Sequence, residues 1–272
     1  MECLWDLING GTETLLSRMK RLIKMLKVDS LFKSFGALLA TDNLSFQVKK
    51  GDIHAIIGPN GAGKTTLIGQ LTGEIESDSG SILFDGNNIS GVPVHLRSAH
   101  GLARSFQISN IFHDMTTCDN VALAVQAHAG HSFHFWKNAS QEQELRRPAI
   151  EFLAMVGLEN RAEIVAGQLS HGEHRQLEIA MALATNPKML LLDEPMAGMG
   201  PKESQAIVKI LQKLKHKLTI LLIEHDMDVV FTLADRITVL VNGRGIATDI
   251  PDAIKKNQKV IAAYLGEESY HA

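Results

Sequence analysis

The stretch Gly58-Pro59-Asn60-Gly61-Ala62-Gly63-Lys64-Thr65-Thr66 decides the fold. It follows the apolar run His54-Ala55-Ile56-Ile57 and precedes Lys64 to Thr72, whose pattern predicts a helix ended near Gly73. A loop of this composition between a strand and a helix is a phosphate-binding loop. Its glycines let backbone N–H groups close around phosphates. Lys64 brings a positive charge to the β and γ phosphates, and Thr65 offers a hydroxyl to Mg²⁺. With Asn60, Gly61, Ala62, Gly63 and Thr66, these residues form the candidate ATP/ADP-binding set.

Two further passages lie downstream. Met189-Leu190-Leu191-Leu192 predicts a buried parallel strand, and Asp193-Glu194-Pro195 follows it. Asp193 then sits at the carboxyl end of the strand, on the ligand side of an open α/β sheet, as a candidate Mg²⁺ ligand. Glu194 is placed to polarise the attacking water as a general base. The passage Leu169-Ser170-His171-Gly172-Glu173 opens a predicted helix. Ser170 can cap that helix. Alternatively, Ser170, Gly172 and the adjacent N–H groups can receive a γ-phosphate. Lys64 already serves the phosphates in cis, so this second anion site makes sense against ATP held by a partner chain.

Three single residues complete the set. Gln107 lies between the loop region and a helical segment, where an amide can contact Mg²⁺ or the attacking water. His225 follows the apolar run Leu218 to Ile223 and can hydrogen-bond a γ-phosphate and Glu194. Phe35 can stack on adenine, or serve as a core or edge aromatic.

Bulk composition agrees with this outline. The 272 residues are 45% apolar and 21% charged, enough for one large α/β domain with a satellite subdomain or two modest domains. A net charge of −3 argues against a broad nucleic-acid-binding surface. Cys3 and Cys118 make no disulfide framework. No apolar run approaches the roughly 20 residues that cross a bilayer, and a secretory signal pattern is lacking. A cytoplasmic protein is expected. Residues 1–24 read as an N-terminal extension: either a basic amphipathic helix, with Arg18, Lys20 and Arg21 between Leu15, Met19 and Leu22, or a poorly ordered segment. Extended patterns run from Leu26 to Phe32 and from Asn43 to Val48, and residues 109–168 look mostly helical. A turn at Gly243–Gly245 precedes the last strand. His128, His131 and His134 are three apart, but no cysteine or carboxylate cluster accompanies them to suggest a metal site.

The order of phosphate loop, Gln107, Leu169-Ser170-His171-Gly172-Glu173, Leu190 to Pro195 and His225 resembles an ATP-binding-cassette (ABC) ATPase over roughly residues 26–266. The resemblance implies an α/β fold: a P-loop NTPase core with an antiparallel β subdomain and an inserted α-helical subdomain, about 109–182, in a domain spanning 25–268. It implies that Phe35 stacks on adenine and that Thr65, Asp193 and Gln107 organise Mg²⁺. Glu194 would be the catalytic carboxylate and His225 the switch histidine. Gln107 would couple the site to a transmembrane partner, Ser170 and Gly172 would complete the opposite subunit's site, and Ala197 to Met199 would cross the dimer interface.

A finer resemblance, to the ATPases of branched-chain amino acid importers, rests on four passages: Ser34-Phe35-Gly36, Gly101 to Gln107, Glu194 to Met199, and Val260 to Gly266. It implies permease subunits in the membrane, a second ATPase subunit (or a homodimer in isolation), and a periplasmic solute-binding protein. The chain would lie on the cytoplasmic face of the inner membrane. ATPases of urea or short-chain amide importers, and less closely of lipopolysaccharide exporters, share much of this text. Two departures stand out. Glu173 would repel a nearby γ-phosphate unless its carboxylate points away. Gly200 would leave the interface loop more flexible.

Overall fold

The computed structural model describes residues 24–104, 111–128 and 143–268. In chain order the strands are β1 (Lys24–Phe35), β2 (Leu38–Lys49), β3 (Ile53–Ile57), β4 (Ser79–Phe84), β5 (Asn87–Asn88), β6 (Leu102–Arg104), β7 (Met189–Asp193), β8 (Thr219–Ile223), β9 (Arg236–Val241) and β10 (Arg244–Asp249). The α-helices are α1 (Lys64–Thr72), α2 (Val94–Ala99), α3 (Thr117–His128), α4 (Gln143–Val156), α5 (His171–Ala184), α6 (Pro201–Leu214), α7 (Met227–Leu233), α8 (Pro251–Lys255) and α9 (Gln258–Glu268).

Two sheets organise the described residues. One is antiparallel, in the order β2-β1-β4-β5; the other has the order β10-β9-β3-β8-β7-β6. In the second, β9, β3, β8, β7 and β6 run parallel and β10 is antiparallel at the edge. Every residue of β3, β7 and β8 is buried, as continuous apolar runs in a sheet covered on both faces should be. Alternation then assigns side chains to layers. Leu190, Leu192, Ile220 and Leu222 join the apolar cluster that holds residues of α3, α4 and α5. Leu191, Leu221 and Ile56 face the other way, onto Leu67, Ile68 and Leu71 of α1 and the antiparallel sheet. This is an α/β architecture with the phosphate loop at its centre.

Several elements differ from the sequence expectation. β1 and β2 run well beyond the expected 26–32 and 43–48, because β1 is paired along both edges and the ladder carries polar residues into the strand. Residues 157–170 are turns and short 3₁₀ segments, so the helical stretch is interrupted before α5. The last turn is Asn242-Gly243, both in the left-handed region (φ 47° and 76°), as a tight hairpin requires. Gly245 belongs to β10, opposite Leu240. The helix at 64–72 ends at Gly73 in the left-handed conformation, as expected. Residues 1–23, with the possible amphipathic helix, and His131 and His134 lie outside the described residues. Among the described residues no helix is long and apolar enough to cross a membrane.

Arg97 and His54 are among the polar side chains built into the core. Arg97 caps the carboxyl end of α1: Nη1 donates to the carbonyls of Gln70 and Leu71 (both 2.7 Å), Nε to Val92 (2.6 Å) and Nη2 to Ser90 (2.9 Å). In β3, His54 is fully buried, its Nε2 2.8 Å from the Thr238 hydroxyl and its Nδ1 without a hydrogen-bond partner among the described residues. Burial, with Arg236 nearby, pushes the imidazole pKa from 6.5 down to about 3.

The sign of the consequence follows from linkage. Below pH 6.5 the unfolded chain takes up a proton at His54 that the folded chain refuses until about pH 3. Stability should therefore decline on acidification through this window, with a contribution approaching about 1.4 kcal/mol per pH unit. Chemical denaturation between those limits checks it; a His54→Gln variant should show a shallower slope, and an equal slope would refute the assignment.

Candidate functional site

The loop after β3 is shaped by two close backbone approaches. A Cβ at Gly58 would lie 2.1 Å from the Leu240 carbonyl oxygen, and one at Gly63 2.3 Å from that of Ala40. Gly63 also has φ 99°, which glycine adopts freely. Gly61 is left-handed too, but it faces open space. The Gly243 N–H donates to the Ala62 carbonyl (2.9 Å) and the Asp42 N–H to that of Gly243 (2.9 Å), so the β9–β10 turn and β2 hold the loop from behind. Lys64 Nζ folds over the loop onto the carbonyls of Gly58 (2.6 Å) and Pro59 (2.8 Å). Asn60, Gly61 and Thr65 are exposed, and Thr66 is half-buried. A phosphate fits here: it offers Lys64 a charged acceptor in place of neutral ones.

Phe35 stands at the tip of the β1–β2 hairpin and is 49% exposed, so it is not a core aromatic. Ala40, which abuts Gly63, places that tip beside the loop. Asp78 organises the approach to it. The carboxylate accepts from Lys33 Nζ (2.8 Å), the Ser34 N–H (2.7 Å) and the Ser34 hydroxyl (2.9 Å), and Lys33 Nζ lies 5.4 Å from the Phe35 ring centre. The Lys33 bond, then those from Ser34, hold Asp78 down at about 2.

Asp193 and Glu194 emerge where β7 ends, with β8 between β7 and β3. Burial pushes Asp193 above the ordinary carboxylate range; Arg104 and Lys64 oppose that shift and Glu194 adds to it. Glu194 has φ 46°, a left-handed conformation uncommon for a side-chain-bearing residue and a known form of strain at functional sites. Its N–H donates to the Ile223 carbonyl at 2.9 Å. His225 Nδ1 lies 3.8 Å from Glu194 Oε1, just beyond hydrogen-bond reach. The structure thus brings Glu194 and His225 together, with Asp193 and Lys64 close enough to interact.

Ser170 and Gly172 belong to a different locality. Ser170 caps α5: its hydroxyl accepts from the Glu173 N–H (3.2 Å), and Glu173 Oε2 accepts from the Ser170 N–H (2.9 Å). This capping box settles the direction of Glu173. Its other oxygen accepts from Arg161 Nε at 2.9 Å. Burial raises its pKa, but the Ser170 N–H and Arg161 outweigh that and hold it below the ordinary value. The carboxylate is therefore tied back rather than aimed outward. Gly172 lies against Glu203, and His171 Nε2 is 3.5 Å from the Ala197 carbonyl. Gly200 is the N-cap of α6, its N–H donating to Glu203 Oε2 at 3.2 Å, so the expected looseness is met by a bond. Gln107 lies outside the described residues.

Residues 41–197, more than half of the chain, match the family model for ABC transporters. The chain belongs to the ABC transporter family. It is the transporter's ATP-hydrolysing subunit. Residues 246–270 match the model of the branched-chain amino acid ATP-binding cassette transporter. The cassette is 39% identical over 250 residues to the high-affinity branched-chain amino acid transport ATP-binding protein BraF of Pseudomonas aeruginosa, across 89% of this chain and 98% of that protein. It is similar to a solved ABC-transporter cassette in its ADP conformation (TM-score 0.79, 33% identity, 89% of this chain and 99% of that one). It is also similar to a dimeric cassette in a post-hydrolysis state bound to ADP and Pi (TM-score 0.70, 25% identity, 84% of this chain and 99% of that one).

Three side chains of the cassette site were not singled out from sequence. Asp78 and Arg104 are tertiary partners with no periodic signal. Glu224, buried at the end of β8, accepts from the Met196 N–H and the His225 N–H (both 3.2 Å) and so fixes both segments. Its position directly after an apolar strand was the available clue. Burial raises its pKa, and these two bonds offset part of the rise. Beside Arg104 lies a groove of about 210 Å³, lined by Val94, Leu102, Ile111, Ala124 and Met181 among others.

The loop geometry predicts unequal effects of two alanines. Gly61→Ala and Gly63→Ala both meet the left-handed penalty of roughly 1–2 kcal/mol, but only Gly63→Ala collides with Ala40. Gly63→Ala should lower the thermal midpoint further and abolish ADP binding in calorimetry. Equal losses would show that the close approach is unimportant.

Proposed function

We propose that this chain powers the uptake of branched-chain amino acids through separate permease subunits, working on the cytoplasmic face of the inner membrane. The observation that carries the reading is the meeting of Glu194 and His225 beside Asp193, on the strand ends next to the loop of Lys64. The solute class is supported by the name of the Pseudomonas relative and by the match at 246–270. In this reading residues 25–268 form the cassette, with a helical subdomain at about 109–182, and residues 1–24 are an extension.

ATP's adenine stacks on Phe35, while the amides of residues 60–66 and Lys64 take its phosphates. Thr65, Asp193 and Gln107 would hold Mg²⁺, which when bound neutralises phosphate charge. Glu194 orients the attacking water and accepts its proton as the oxygen adds to the γ-phosphorus and the bond to ADP breaks. The buried Glu224 keeps His225 at hand to brace Glu194 and the γ-phosphate.

Ser170 and Gly172 serve ATP bound by a partner cassette, a second ATPase subunit or, in isolation, a second copy. The dimeric relative supports that arrangement. Closure of the pair would pull on the permeases, whose cytoplasmic elements would seat in the apolar groove beside Arg104. A periplasmic protein would deliver the solute; nucleic acid has no part.

Two experiments test this. Glu194→Gln should lower turnover by about 10²–10⁴-fold while nucleotide binding persists. Affinity purification from native membranes should recover two permeases and a second ATPase, with a branched-chain amino acid on the associated binding protein. Exporter permeases or soluble partners only would overturn the importer reading, and urea or an amide as solute would overturn the branched-chain assignment.

Ser170→Ala separates capping from a role in trans. It should cost about 1 kcal/mol of stability and leave ADP binding by the isolated chain unchanged, yet depress ATPase activity of the assembled transporter. Unchanged transporter turnover would confine Ser170 to its cap.

A further inference from the structure

Arg104 ends the short edge strand β6, paired in parallel with Leu191 of β7. From there its guanidinium spans two elements of the nucleotide site. Nη2 lies 3.3 Å from Asp193 Oδ2, and Nη1 lies 2.7 Å from Glu74 Oε2, immediately after the helix α1 and its cap Gly73. The Asp193 and Arg104 side chains are only 8% and 13% exposed, whereas Glu74 is 44% exposed. Arg104 Nε is buried and has no hydrogen-bond partner among the described residues.

This arrangement is unequal. The closer bond goes to the solvated carboxylate, and the longer one to the buried carboxylate. A guanidinium seated for Asp193 alone could make two parallel bonds; here a single longer contact is made while the other arm is held by Glu74. Asp193 nevertheless needs a cation, because a buried carboxylate beside a second one, Glu194, is costly to leave uncompensated.

We propose that Arg104 is a positioning residue that keeps Asp193 compensated until a divalent cation arrives, and that Glu74 holds the guanidinium when Asp193 is given up. The inference rests on the assignment of Asp193 as a Mg²⁺ ligand. Arg104 and Mg²⁺ then compete for one carboxylate, and Glu74 sets how hard Arg104 competes. An Arg104 held by Glu74 alone, with no hold on Asp193, would leave Mg²⁺ binding unopposed and Glu74→Gln without effect on it.

The test is the Mg²⁺ dependence of ADP-induced stabilisation in the full chain: the thermal midpoint is followed while Mg²⁺ is titrated at saturating ADP, starting in chelator. Arg104→Met should lower the ligand-free midpoint, yet reduce the Mg²⁺ concentration for half-maximal stabilisation by about tenfold. Glu74→Gln, which leaves the buried pair in place and should fold normally, should shift that concentration the opposite way, because the released guanidinium turns fully to Asp193. Arg104→Lys should fall between wild type and Arg104→Met.

An unchanged Mg²⁺ midpoint in both variants, or a weaker response in Arg104→Met, would overturn the proposal. If Arg104→Met does not fold, Glu74→Gln decides alone: a raised midpoint supports the proposal and an unchanged or lowered one defeats it. A wild-type chain whose ADP response ignores Mg²⁺ would instead defeat the underlying assignment of Asp193.

Discussion

The phosphate loop keeps its shape because other parts of the chain hold it from behind. The carbonyl of Ala62 is taken by the Gly243 N–H, and the Gly243 carbonyl by the Asp42 N–H. Gly58 and Gly63 allow the backbones of β9 and β2 to come within a distance that no side chain permits. The loop's shape is thus set by a hairpin nearly two hundred residues downstream and by a strand of the other sheet. Those anchors in turn need the two sheets in register, so loop geometry and global packing form one cooperative unit.

Charge is the second organising constraint. Asp193 and Glu224 are carboxylates pushed upward by burial, and each is offset locally: Asp193 by Arg104 and Lys64, Glu224 by two backbone N–H groups and His225. Glu194, between them, stays half-exposed in a strained left-handed conformation. Three acids lie within a few residues of two adjacent strand ends, and their surroundings differ enough to give each a separate task. The geometry at 170–173 follows similar logic. Glu173 would be a misplaced charge in an anion site, but the capping box and Arg161 tie it back.

Much of this was legible in the sequence wherever the signal was local. The helix at 64–72 was read to its ends because Gly73 punctuates it. The strands ending at Asp193 and Ile223 are legible because buried parallel strands carry unbroken apolar runs. The Ser-x-x-Glu spacing at 170–173 announces a capping box, and that box removes the repulsion expected of Glu173. What escaped were features decided by distant partners. β6 is three residues long and exists by pairing with β7. β1 extends through polar residues because it has neighbours on both edges. Arg104, Asp78 and Glu224 acquire meaning only from residues far along the chain, or, for Glu224, from the fold around Met196. The turn at Asn242-Gly243 was misplaced by the attraction of a second glycine at 245.

Arg97 shows how far the site's requirements reach. Its guanidinium donates to four carbonyls contributed by three successive segments: the end of the phosphate-loop helix, the turn after β5 and the entry to α2. A lysine ammonium has three protons and no planar fork, so the exchange that keeps the charge would strand at least one buried carbonyl. The lesion would sit at the far end of the helix from any phosphate. A genetic screen for loss of transport would nevertheless recover it among the nucleotide-site mutants, and only its position in the fold would reveal that it touches no nucleotide.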